Sequence, residues 1–169
     1  MSTLSVDTIQ GKTTAGTVAM PSGSVIQVLQ GEVLTEISNS SSSYGSVVSQ
    51  AITPKFSSSK ILIQCSGCAT PQAGNALYFK LLRDSTEIGS GTGGTYNVIG
   101  ALTNPSGQQY DSFDVKGWAI QFLDSPSTTS STTYKMQMAS TSGTAQLNRR
   151  ADTDARTMSS SITLMEVLP

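Results

Sequence analysis

The chain has 169 residues, a formal net charge of −1, no histidine, and 12% charged against 37% apolar side chains, which fits one domain with a core of useful size. A pI of about 5.2 gives no electrostatic footprint for nucleic acid, and 28 serines with 21 threonines make the surface largely hydroxylic. The missing histidine removes the commonest general base and metal ligand; no run approaches the ~20 apolar residues of a membrane helix, and no signal peptide opens the chain, so synthesis and folding in a cytoplasm are expected.

Residues 1–21 read as an extended attachment arm. Leu4 and Val6 share one strand face, Ile9 breaks the parity, and the Gly11 to Gly16 turn leads to Val18 and Met20 before Pro21 stops the run. Burying these five side chains would contribute ~1.5–3 kcal/mol each, while ordering about twenty backbone residues costs ~1–2 kcal/mol each. The arm therefore needs a partner. Leu4, Val6, Ile9, Val18 and Met20 are its candidate contact residues.

From residue 22 to 169 the spacing predicts an all-β sandwich, with strand-like runs every ten to fifteen residues and Ser, Gly, Asn and Pro clusters between them. The predicted strands are Ser24–Ile37, Val47–Thr53, Lys60–Ser66, Ala76–Asp84, Tyr96–Ala101, Phe113–Leu123, Thr132–Ala139, Ala145–Asn148 and Ser160–Leu168. Leu77, Phe79 and Leu81 should share one face, as should Tyr134, Met136 and Met138. Asp84 to Glu87 has the character of a hairpin turn, and Ser125 to Ser131 that of a longer loop. Gly89 to Gly94 holds four glycines in six residues, yet a strand-like segment follows it. Without a helix N-terminus it reads as a flexible loop rather than a phosphate cradle. The last run is apolar on both faces, which predicts a central strand beside Val25–Leu29.

Few residue groups suggest chemistry. Cys65 and Cys68 form a C-x-x-C pattern, but zinc wants four ligands and a redox pair normally opens a helix. They read as two reduced small residues at a strand end. Asp111/Asp114 and Asp152/Asp154 are close acid pairs of the kind a glycosidase uses, placed in loop-like sequence that argues for solvated carboxylates. Arg149, Arg150 and Arg156 alternate with Asp152 and Asp154, which suits either a self-neutralising loop or an inter-subunit network. Tyr110 and Trp118, flanking Phe113, could line a sugar-binding shelf, but Trp118 shares parity with Ile120 and Phe122 and reads as core. No enzyme activity, cofactor or metal is expected.

Several segments carry a resemblance across nearly the whole chain. Ser2-Thr-Leu-Ser-Val-Asp-Thr-Ile-Gln10, Pro21 to Val28, Ile52 to Leu62, Phe122 to Lys135, and Ser161-Ile-Thr-Leu-Met-Glu166 resemble virion structural proteins of tailed bacteriophages, especially phages of cyanobacteria and other marine bacteria. The predicted arrangement is also similar to the trimeric jelly rolls of phage fibre heads and of the tumour-necrosis-factor and C1q-like family. The resemblance implies a homotrimeric jelly-roll-like β-sandwich behind an N-terminal arm, located in the virion and released by lysis. It implies a capsid decoration or cement protein that meets capsid or tail and neck proteins. The alternative it leaves open is a tail-fibre or head-fibre tip that binds a host surface receptor or glycan.

Overall fold

A computed structural model describes residues 20–71, 74–95, 97–103, 115–150 and 158–169, and those residues form strands, turns and loops with no helix. Of the arm, only Met20 and Pro21 fall within them; Leu4, Val6, Ile9 and Val18 lie outside. The strands are β1 (Val25–Val33), β2 (Ile37–Asn39), β3 (Gly45–Ile52), β4 (Lys60–Thr70), β5 (Ala76–Arg83), β6 (Thr86–Ile88), β7 (Gly100–Thr103), β8 (Lys116–Asp124), β9 (Thr132–Ser140), β10 (Ala145–Leu147) and β11 (Ser160–Val167).

These strands make two antiparallel sheets. In the first, β11 lies between β1 and β4, as its two-sided apolar pattern predicts, with Leu29 opposite Leu164 and Leu164 opposite Ile63. The far edge of β4 carries β8, while β10, itself paired with β2, takes up the near edge beyond β11. In the second sheet β9 lies between β3 and β5, and the other edge of β5 is shared by β7 and β6. Alternation puts Leu77, Phe79 and Leu81 of β5 and Tyr134, Met136 and Met138 of β9 in the core, all essentially inaccessible to solvent. Ile61, Ile63, Ile162 and Leu164 meet them from the first sheet. The ring of Trp118 on β8 stacks 4.7 Å from that of Phe79 on β5, so Trp118 is a core residue bridging the two sheets. Tyr110 and Phe113 lie outside the described residues.

Several boundaries differ from the predicted ones, for physical reasons that act across the sheets. The Ser24–Ile37 run divides into β1 and β2 because its pairing partner changes from β11 to β10. The Asn148 side chain holds the break, donating to the Val33 and Thr35 carbonyls at 3.0 and 3.1 Å. The Lys60 run continues to Thr70 because both edges of its second half find partners. The C-x-x-C pattern thus lies inside β4 rather than at its end, with Cys65 buried and Cys68 three residues on, so that the two thiols project from opposite faces and are unbridged. The predicted turn from Asp84 to Glu87 is shorter. Arg83 pairs with Thr86, leaving a two-residue hairpin whose Asp84 has φ 53°. Of the Tyr96–Ala101 run, Tyr96 lies outside the described residues and the strand begins at Gly100; of the run predicted from Phe113, Phe113 and Asp114 lie outside the described residues and β8 begins at Lys116.

Polar groups close the ends of the sandwich. Asp124, nearly buried, accepts a 2.7 Å bond from the Tyr134 hydroxyl and two 3.0 Å bonds from Arg83. Burial, and then the hydrogen bond to Asp124, push the Tyr134 hydroxyl well above its ordinary pKa. Glu166 is fully buried on β11, and its Oε1 accepts from the Lys55 and Phe56 backbone N–H groups at 2.8 and 3.3 Å, fastening the loop that enters β4. Gly23 N–H donates to the Leu168 carbonyl and Leu168 N–H to the Ser24 carbonyl, both at 3.0 Å, so the start of β1 and the end of β11 lie side by side.

Candidate functional site

The outward face of the first sheet departs from a plain hydroxylic surface. Register sets Val28 opposite Met165, Met165 opposite Leu62, and Leu62 opposite Leu123, making one apolar row across four strands. Val28 is 57% and Leu123 49% exposed, with Met165 and Leu62 half-buried between them. Val25, opposite Val167, widens the row at the end where the arm joins. Val28 and Leu123 alone are ordinary exposed residues. Their alignment with Met165 and Leu62 makes a contiguous strip.

Beside this row runs a polar one, Gln30, Thr163, Gln64 and Gln121, followed by Glu32, Ser161, Ser66 and Ala119. The sheet curves here into a shallow trough of about 550 Å³ lined by these glutamine and hydroxyl side chains. The charged residues on the face are Lys60 and Glu32, at opposite ends. At ~4.8 Å between strands and ~3.3 Å per residue, the face covers about 500 Å² in projection. That is most of the ~800 Å² each partner gives to a stable interface. Covering the exposed parts of Val28 and Leu123 contributes only ~1 kcal/mol each against an association cost of ~4–15 kcal/mol. On these numbers the row by itself is too small to hold a partner.

The residues singled out in the sequence distribute unevenly. Met20 is 53% exposed. Arg149 is committed within its own chain, its Nη1 2.8 Å from Glu36 Oε2 and its Nε donating to the Arg150 carbonyl at 3.0 Å. Asp111, Asp114, Asp152, Asp154 and Arg156 lie outside the described residues, as does any pairing between them. Among the described residues no cluster of cysteine and acidic side chains could hold a metal ion, and no helix is long and apolar enough to cross a membrane. Sequence reasoning missed the outward row because its four members come from four distant segments. The available signal was the two-faced apolar pattern of Ile162 to Leu168.

A scan against protein-family models finds no match for this chain, and a search of curated proteins finds none either.

Proposed function

We propose that the chain is a virion structural protein of a tailed bacteriophage, a homotrimeric capsid decoration or cement protein anchored by residues 1–21. The observation that carries the self-association half is the outward row Val28–Met165–Leu62–Leu123 with its adjoining trough. A second copy of this chain covers that face, burying apolar side chains that water otherwise meets. The strand order supports the jelly-roll reading, with β1-β11-β4-β8 facing β3-β9-β5-β7 and successive long strands passing from one sheet to the other. Membership of a virion rests on the segments quoted above from Ser2 to Glu166.

In this reading Leu4, Val6, Ile9, Val18 and Met20 add to strand edges on the capsid partner, where backbone hydrogen bonds offset the ordering cost. Three arms leaving one trimer act together through high effective concentration. Electron microscopy of virions labelled at the C-terminus tests the location. Label spread over the head is expected, and label confined to the tail or neck would replace decoration by a fibre role. Replacing Leu4 and Val6 with Asp should leave the oligomer folded and abolish its binding to particles lacking the native protein.

A further inference from the structure

We propose that the outward face of the second sheet carries a binding cleft for a neutral saccharide. The cleft has a volume of about 460 Å³, within the ~300–1,000 Å³ of ligand pockets. Its walls come from three places in the chain. Tyr44 precedes β3, Lys80 projects outward from the middle of β5, and Glu87 lies on β6, with Ser90, Thr92, Thr95 and Asn97 on the remaining side.

Lys80 and Glu87 set the chemistry. Lys80 Nζ stands 2.6 Å from Glu87 Oε2 and 4.7 Å from the centre of the Tyr44 ring. The two charged side chains are 25% and 32% exposed, reachable from the cleft without being fully hydrated. Burial raises the Glu87 carboxyl, but the hydrogen bond from Lys80, the nearby Ser90 hydroxyl and the charge of Lys80 outweigh it, so Glu87 stays ionised more readily than usual. The pair offers ammonium donors beside carboxylate acceptors. A sugar hydroxyl donates and accepts, so two adjacent hydroxyls can engage both groups together. The part of the Tyr44 ring that Lys80 leaves uncovered supplies apolar surface for the C–H face of the sugar ring.

The described glycines of this segment are seated. Gly89 has φ +71°, and a Cβ there would come within 2.8 Å of Ile99 Cδ1 and 2.9 Å of Phe122 Cδ2, so only glycine lets the loop root press on the core. Gly91 donates to the Val98 carbonyl at 3.3 Å, and Gly94 to Asn97 Oδ1 at 3.4 Å. Competing ligands fit less well. An anion gains little because Glu87 offsets the charge of Lys80, and no helix N-terminus stands behind the glycines. An apolar ligand would satisfy none of the hydroxyl and amide groups of Ser90, Thr92, Thr95 and Asn97 and would strip water from the Lys80–Glu87 pair. The cleft faces away from the first sheet's apolar row, so this inference is independent of the trimer and of the place in the virion.

The test is a glycan array carrying neutral hexose and N-acetylhexosamine oligosaccharides beside sialylated and sulfated ones, probed with the full chain, followed by calorimetric titration of the best-bound sugar. Retention of neutral members is expected. Glu87→Gln, Lys80→Met and Tyr44→Ala should each weaken binding at least tenfold, while Lys135→Met, outside the cleft lining, should leave it unchanged. Thr92→Val, an exposed change in the loop, should weaken it several-fold and keeps the test open should Tyr44→Ala fail to fold. The proposal is overturned if the wild-type chain retains no neutral saccharide, if it retains only anionic ones, or if folded cleft variants bind as well as wild type.

Discussion

Ser160 donates its hydroxyl to Asn148 Oδ1 at 2.6 Å in the space left by the missing side chain of Gly67. A Cβ on residue 67 would collide with Ser160 Oγ and come within 2.8 Å of Ser160 Cβ and 2.9 Å of Trp118 Cζ2. Asn148, fully buried with φ 61°, also donates its backbone N–H to Cys68 at 2.9 Å, and its carbonyl accepts from Met158 at 2.8 Å. One residue therefore ties β1, β4, β10 and β11 together at the point where the first sheet changes partners.

Asn148→Ala should destabilise the fold by ~3 kcal/mol or more, since it leaves the buried Ser160 hydroxyl and two partly buried carbonyls without their partner and places a less tolerant residue at positive φ. Gly67→Ala should be comparably harmful alone but much less so in a Ser160→Gly background, where the obstructing atoms are gone. Urea denaturation of the single and double variants checks the coupling. Equal effects of Gly67→Ala in both backgrounds would show that Ser160 is not the obstruction.

Much of this fold was legible in the sequence. Strand parity identified the inward faces of β5 and β9, placed Trp118 in the core, and set β11 between its neighbours, because alternation is a local property. The break after Val33 was not legible, since Asn148 imposes it from more than a hundred residues away. The extent of β4 was hidden likewise, because its second half is a strand by virtue of β8 and β10. The outward row depends on register between distant strands, and the cleft beside Lys80 and Glu87 depends on the β5–β6 pairing and on Tyr44 reaching it from before β3, residues that taken singly are unremarkable.

Tyr134 makes stability fall in alkali. The folded chain keeps a phenolic proton that the unfolded chain releases above its ordinary pKa of ~10. The contribution is therefore intact below about pH 10 and is lost as pH rises beyond it, by ~1 kcal/mol near pH 11. Tyr134→Phe should cost ~1 kcal/mol at neutral pH by removing a donor to Asp124, and should flatten the alkaline decline in urea midpoints. An equally steep decline in the variant would assign the effect to another group.

Burial pushes the Cys65 thiol up to about 12, so little of it is thiolate at neutral pH. Iodoacetamide applied to the native protein should modify the partly exposed Cys68 first and reach Cys65 only on unfolding. Peptide mass spectrometry after brief labelling reads this directly. Rapid modification of Cys65 under native conditions would mean that β4 opens locally.

The central claim is that copies of this chain meet through the outward face of the first sheet, and light scattering coupled to size exclusion tests it most directly. The wild-type chain should elute at three times the chain mass. Val28→Glu combined with Leu123→Glu should elute at one chain mass with an unchanged circular dichroism spectrum, because both side chains point to solvent in the single subunit. A wild-type monomer at all concentrations, or a double variant that remains trimeric, would contradict the account.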